Sequence, residues 1–356
     1  MASPIIDDPI IEDPGIEDAD VEGRAGHGPG VATRDDRVRG AIWGQLVGDA
    51  AALGSHWIYD LDELARAYPE GITGFEPPRA GHYHEGRRPG DQTHYGDGAL
   101  VLLRSITDAG GFDAGAFGGR FVETFDRATY GGYLDHATLG TLDNYDAFRR
   151  DHPGEPFAFQ ACAADDQPAT LTRLSVLVGR YAGSSRAALL DRVRALTLVT
   201  QDHPLSLAYA VFSAVLLDGL LEGRGIEPSI AEAQEALAEA APAQAGPIGE
   251  QVRQARAAAG GDVTEATLVF GQSCPLVHSV PAALQVLLTY PDDFEQAILS
   301  TVRAGGDSAA RAAIVGGWLG AHLGLAGIPP AWIRRLSAGP EISARLDTLL
   351  ADHHRL

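Results

Sequence analysis

The stretch AGGDSAARAAIVGGWLGAHLG, from Ala304 to Gly324, limits the fold more than any other part of this chain. Gly305 and Gly306 turn the backbone, Asp307 and Ser308 follow at once, and the residues after them are almost uncharged. Such a run reads as a loop opening a helix that is buried on most sides. Asp307 or Ser308 can cap that helix by accepting from its first free backbone N–H groups, and a carboxylate there also opposes the positive end of the helix dipole. An ordinary N-cap accounts for this much. Gly305 and Gly306 add the close backbone approach a ligand needs, at a helix end that favours anions. The chemistry is therefore sought here first, with Ser308 and the two glycines as ligand-binding candidates.

A helix of that composition needs protein around it. Of 356 residues, 45% are hydrophobic and 21% charged, enough for a sizeable core. No segment alternates with period two over a convincing length, while 3.6-residue patterns recur throughout, so the expected architecture is a single all-α domain over residues 37–356. LAYAVFSAVLLDGLL is apolar nearly all round and should lie centrally; residues 224–264 read as surface helices around an APAQAGP break. The run from Ala312 to Pro330 approaches membrane-spanning length, but its glycines, His322 and final Pro pair make it a core helix. Residues 1–36 repeat Pro, Ile and acidic residues before turning Gly-rich, the pattern of a disordered acidic tail.

The formal net charge of -21 argues against partners such as the nucleic-acid backbone or an anionic membrane. The chain contains no Lys, which removes Schiff-base and P-loop lysine chemistry. Its two cysteines, Cys162 and Cys274, form neither a disulfide framework nor a metal-type pair, and no basic, apolar leader opens the sequence, so a reducing cytoplasmic setting is expected.

Polar clusters precede several of the apolar patterns. SHWIYD, with Trp57, is either the edge of the core or the wall of an aromatic pocket. The long polar loop from Gly71 to Asp97 carries His82, His84 and His94 at a spacing that matches no standard zinc set. Asp97 then heads GALVLLRSITDAG as Asp307 heads its helix; brought together, the two would polarise water or hold a hard cation. Tyr133, Asp135 and His136 precede one later helix, and Asp165 and Asp166 another, where Asp166 before Pro168 can also be a cap.

GDAAALGSHWIYD, YGDGALVLL, YGGYLDHATLGTL, DDQPATLTRL, FGQSCPLVHSVPAAL and AGGDSAARAAIVGGWLGA occur in this order over nearly everything after the tail. Together they resemble the ADP-ribosylglycohydrolase superfamily, in the branch of the jellyfish J-type crystallins and selenoprotein J. The resemblance implies a compact all-α fold with its cleft at helix N-termini. In hydrolytic members it implies two magnesium ions, held by an early Thr-Asp-Asp and a late Asp-x-Asp-Thr, and cleavage at the distal ribose of ADP-ribose. Carried over position by position, Tyr95 and Gly96 replace the early Thr and first Asp, leaving Asp97; Asp307 stays in the late motif, but Ala309 and Ala310 replace its second Asp and Thr. Magnesium tolerates loss of oxygen ligands poorly, so the retained ligands Asp97 and Asp307 support at most one weakly held, largely hydrated ion.

Arg311, four residues after Asp307, can pair with it and supply fixed positive charge where the family uses metal. The resulting expectation is a hydrolase for a ribosyl N- or O-glycosidic bond in an ADP-ribose conjugate or an NAD-derived nucleotide. Asp97 and Asp307 would stabilise an oxocarbenium-like state, with Asp135 or Asp49 as a further base; Trp57, Tyr95 and Tyr133 would wall the base, and the Gly305 and Gly306 amides would meet phosphate. Cys274 reads as structural before nucleophilic. The competing expectation is a non-catalytic, crystallin-like or nucleotide-binding protein of the same fold.

Overall fold

The computed structural model describes residues 32–160 and 162–353. Residues 1–31 of the expected tail lie outside them. The first helix starts at Arg34, inside the stretch assigned to the tail, because Thr33 caps it: the Thr33 hydroxyl accepts from the Asp36 N–H at 3.2 Å, with Asp35 and Asp36 in the first turn.

Sixteen α-helices follow one another among the described residues. They are α1 (Arg34–Ala52), α2 (Leu61–Ala67), α3 (His94–Ala109), α4 (Ala114–Thr124), α5 (His136–Asp151), α6 (Leu174–Tyr181), α7 (Arg186–Thr200) and α8 (Pro204–Leu221), then α9 (Ile226–Ala240), α10 (Pro242–Ala258), α11 (Val263–Phe270), α12 (Leu276–Thr289), α13 (Phe294–Arg303), α14 (Ser308–Leu323), α15 (Pro330–Arg334) and α16 (Gly339–His353). These residues contain no β-strand, only isolated bridges at Ile58–Gly306 and Ala163–Gln201. The fold is all-α.

Its axis is the antiparallel pair α1 and α14. Gly40, Gly44 and Gly48 recur every fourth residue on α1, and Gly320, Gly316 and Ala312 do the same on α14. A Cβ on Gly44 would lie 2.1 Å from the Gly316 carbonyl oxygen, and one on Gly316 would lie 2.1 Å from that of Gly44. The two backbones touch, which only the absence of side chains permits. This contact puts the C-terminal end of α1 beside the N-terminal end of α14. The loop after α1 therefore meets the loop before α14.

The run from Ala312 to Pro330 is buried as far as Ala321, and it is not one helix: Gly324, at φ +77°, ends α14, and a 3₁₀ turn over Leu325–Gly327 follows. Among the described residues, α8 alone is long and apolar enough to cross a membrane by length and composition, and it is packed in the core. The APAQAGP break is narrower than expected, since only Ala241 separates α9 from α10 and Pro242 starts the new helix.

Candidate active site

The turn following α1 carries His56 and Trp57, and it is pinned to the glycine loop before α14. The Trp57 N–H donates to the Gly306 carbonyl at 2.7 Å, and the Gly306 N–H donates to that of Ile58 at 2.8 Å. Trp57 takes φ +63°, a costly conformation for an aromatic residue, and Gly306 takes φ +66° where a Cβ would fall 2.4 Å from the Gln272 carbonyl oxygen. The joint thus carries backbone strain at Trp57 and a turn that only glycine fits at Gly306.

The joint buries a chain of polar groups. His56 Nε2 lies 2.8 Å from Asp307 Oδ1, and His56 Nδ1 lies 2.8 Å from His84 Nε2. The Tyr95 hydroxyl donates to the other Asp307 oxygen at 3.3 Å. An N–H of His84 donating to His56, whose own N–H donates to Asp307, satisfies both contacts. His94, in the first turn of α3, stacks near Tyr95 and Trp57, with ring centroids 3.9 and 5.4 Å away. It is 4% exposed, and neither ring nitrogen has a hydrogen-bond partner; Nε2 lies 3.6 Å from Asp135 Oδ2. Burial lowers the pKa of His56, His84 and His94. For His94, Asp135 and Asp307 oppose that effect. Burial raises Asp307, against the pull of Arg311 and a hydrogen bond from Cys274.

Above this layer is a cavity of about 210 Å³ lined by Trp57, Tyr59, Tyr83, Tyr133, Asp135, His136, Gln167 and Cys274. Asp135 caps α5 by accepting from the Thr138 N–H at 2.8 Å and presents its other oxygen toward His94. Of the residues chosen from sequence, Trp57, Tyr133, Asp135 and His136 meet at this cavity. Asp165 lies behind it, accepting from the Gln167 N–H and the Gln201 amide at 3.0 Å each, while the Asp166 carbonyl accepts from the Leu276 N–H.

Several expected roles change. Asp97 does not join Asp307. It binds Arg87 and the Tyr130 hydroxyl at 2.7 Å each and lines a second cavity with Gln92 and Arg104. Asp49 is fully buried and accepts from both the N–H and the hydroxyl of Thr93, so it braces the cap of α3; burial raises it to about 7. Asp307 holds the N-cap position of α14 without a capping hydrogen bond, its oxygens being turned to His56 and Tyr95. Tyr95 is 2% exposed and lies beneath the cavity instead of walling it. The Gly305 and Gly306 amides are already donated, to the Val302 and Ile58 carbonyls, and so do not await phosphate. Ser308 is fully buried, its hydroxyl without a partner.

Arg311 does not pair with Asp307. Its guanidinium donates to the Gln272 and Gly305 carbonyls and holds the glycine loop shut. A second buried cation, which the sequence reading missed, is Arg173: it donates to the Ala169 carbonyl at 2.7 Å, lies over the Phe117 and Phe121 rings and packs beside Gly98, one turn along α3 from His94. His84 and His94 were visible, with His82, only as histidines at the wrong spacing for zinc, and His56 only as part of SHWIYD. Cys274 donates to Asp307, and burial raises its pKa far above the nucleophilic range.

The site is assembled from the N-termini of α3, α5 and α14 in an all-α fold, the placement that the resemblance to the ADP-ribosylglycohydrolase superfamily implies. Comparison with known proteins agrees. The family model described as ADP-ribosylglycohydrolase matches residues 31–355, and the chain belongs to that family. Crystallin J1A and Crystallin J1B of Tripedalia cystophora are each 28% identical, over 322 and 323 residues, covering 86% of this chain and 94% of theirs. A solved structure titled "ADP-ribosylglycohydrolase-related protein complex" shares the fold with a TM-score of 0.62 at 24% identity, covering 91% of this chain and 100% of that one.

The family's magnesium pair does not fit the donors present. Both Asp307 oxygens are engaged, Ala309 and Ala310 offer no oxygen, and Asp97 belongs to another cluster. The side chains of the first turn of α3 that do reach the site are His94 and Tyr95. Placing the early motif on Thr93-His94-Tyr95 puts its Thr on a Thr and its two carboxylate positions on an imidazole and a phenol. Among the described residues, no group of three or more His, Cys, Asp or Glu is arranged to hold a metal ion.

Proposed function

We propose that this chain is a glycoside hydrolase acting on a ribosyl N-glycosidic bond, with side chains doing the work for which the family employs metal. The observation that carries the reading is His94: a buried imidazole with two unpartnered nitrogens, set beside Asp135 under an open aromatic cavity. A buried polar group without a partner is costly, and a sugar hydroxyl or a water reaching the cavity floor would satisfy it.

In this reading His94 orients the sugar or the attacking water, and Asp135 accepts the water's proton while its charge opposes the oxocarbenium-like centre. Asp307 is fully buried, touches no substrate and acts through His56 and Tyr95 as a positioning residue. The test is turnover of ribosyl conjugates by the full chain in EDTA. Asp135→Asn keeps a good N-cap for α5 and is expected to lower kcat by about 10²–10⁴ with little change in Tm. Absence of turnover in the wild-type chain across N-ribosyl conjugates would end the hydrolytic reading.

The missing oxygens at Ala309 and Ala310 favour a second reading, a binding protein of this fold. It requires ligand affinity that Asp135→Asn leaves unchanged, without turnover.

A further inference from the structure

The walls of the cavity over His94 are of one chemical kind. Trp57 and Tyr83 meet edge to face with ring centroids 5.1 Å apart at 81°, Trp57 and Tyr133 at 4.5 Å and 67°, and Tyr83 and Tyr133 at 5.6 Å and 82°. Tyr59 lines the same space. Tyr59 and Tyr83 remain 43% and 61% exposed, although buried aromatic surface is available elsewhere in the core. The three rings pack edge to face into an aromatic box, with His56 stacked on Trp57 at 3.9 Å from behind, and π surface of this kind recognises organic cations.

The polar part of the lining agrees. Its carboxylate is Asp135, its remaining members are His136, Gln167 and Cys274, and it contains no Arg. Arg173 is buried against Gly98 and forms no part of the wall. A diphosphate would find no guanidinium here and no free amide at Gly305 or Gly306. The cavity, at about 210 Å³, is also smaller than the ~300–1,000 Å³ usual for drug-sized ligands. It suits a ring and part of a sugar better than a dinucleotide.

We infer that the ligand of this site is an organic cation, an N-ribosylated pyridinium-type ring whose glycosidic nitrogen carries the charge, held by the Trp57–Tyr83–Tyr133 box and by Asp135. The fate of that ligand rests on the hydrolytic reading above; its binding does not. On cleavage, the bond between C1′ and nitrogen breaks with its electron pair returning to nitrogen, so the ring leaves as a neutral pyridine. The oxygen of water bonds to C1′, and its proton passes to Asp135. The leaving group needs no proton, which suits a site whose buried imidazoles are held neutral.

The probes are 1-methylnicotinamide, a cation, and nicotinamide, its neutral ring, each titrated calorimetrically into the full chain, with ADP-ribose as competitor. The expected result is about tenfold tighter binding of the cation, a preference lost in Tyr83→Leu, kept in Tyr83→Phe and unaffected by ADP-ribose. Tyr83 is exposed enough that neither substitution should disturb folding. Equal binding, no binding of either probe, or displacement of the cation by ADP-ribose would overturn the inference. Cation preference without turnover of a ribosyl pyridinium would leave the cage standing and sink the hydrolase. Turnover of ADP-ribose conjugates without cation preference would do the reverse.

Discussion

His94 illustrates how a single buried group sets the behaviour of a site. Its pKa lies below the ordinary value of about 6.5 because burial penalises the imidazolium more than Asp135 and Asp307 favour it. As pH falls through about 6.5, the unfolded chain takes a proton that the native imidazole refuses, so this group contributes stability above that pH and loses it below. Asp49 works in the opposite sense: raised to about 7, it contributes stability that is full below about 3.8 and is lost as pH rises toward 7. The whole-chain profile mixes both signs, so the informative quantity is the difference between the wild type and one variant. For His94→Asn, the stability gap measured by urea unfolding should shift in the variant's favour as pH falls from about 6.5 to about 5. A constant gap would mean that His94 titrates normally.

At the scale of elements, the site is a consequence of one helix crossing and one loop joint. Gly44 and Gly316 let α1 and α14 touch, and Gly306 lets the loop before α14 pass under the Gln272 carbonyl. A methyl group at either place meets backbone, which cannot move aside as the end of a side chain can. Gly44→Ala should therefore cost at least about 3 kcal/mol by denaturant unfolding, through overpacking against the Gly316 carbonyl. Gly306→Ala adds the strain of φ +66° and should also free Trp57, whose N–H loses its place on the Gly306 carbonyl. If Gly306→Ala were as stable as the wild type and kept the Trp57 fluorescence environment, the joint would not be what holds the site. Arg311 belongs to this scale too, since its hydrogen bonds to the Gln272 and Gly305 carbonyls brace the loop.

For the whole molecule, a net charge of -21 surrounds a cavity proposed to take a cation. Long-range attraction of that sign raises the association rate of a cationic ligand and is screened by salt. Binding of 1-methylnicotinamide should weaken as ionic strength rises from about 0.01 to 0.5 M, with nicotinamide unaffected; equal salt responses would remove electrostatics from the account. Much of this molecule was legible from the chain alone. The apolar periodicity and the nearly uncharged α14 pointed to an all-α fold, because helix burial leaves a local imprint on side-chain choice, and the ordered motifs carried the resemblance to the ADP-ribosylglycohydrolase family. Tyr133, Asp135 and His136 were legible as cavity candidates because a polar cluster just ahead of a helix marks its N-terminus, and Trp57 because SHWIYD clusters aromatics beside a polar turn. Partnership was not legible. Asp97 and Asp307 carry the same local signal, a carboxylate at a helix start, yet the direction in which each side chain points sends one to Arg87 and the other to His56. The histidines at 56, 84 and 94 come from the turn after α1, the polar loop and the start of α3, and only packing through space brings them together. Sequence determined which helices form and which family they build; tertiary packing alone decided which charges meet, because a charge's partner is set by distance through space and not along the chain.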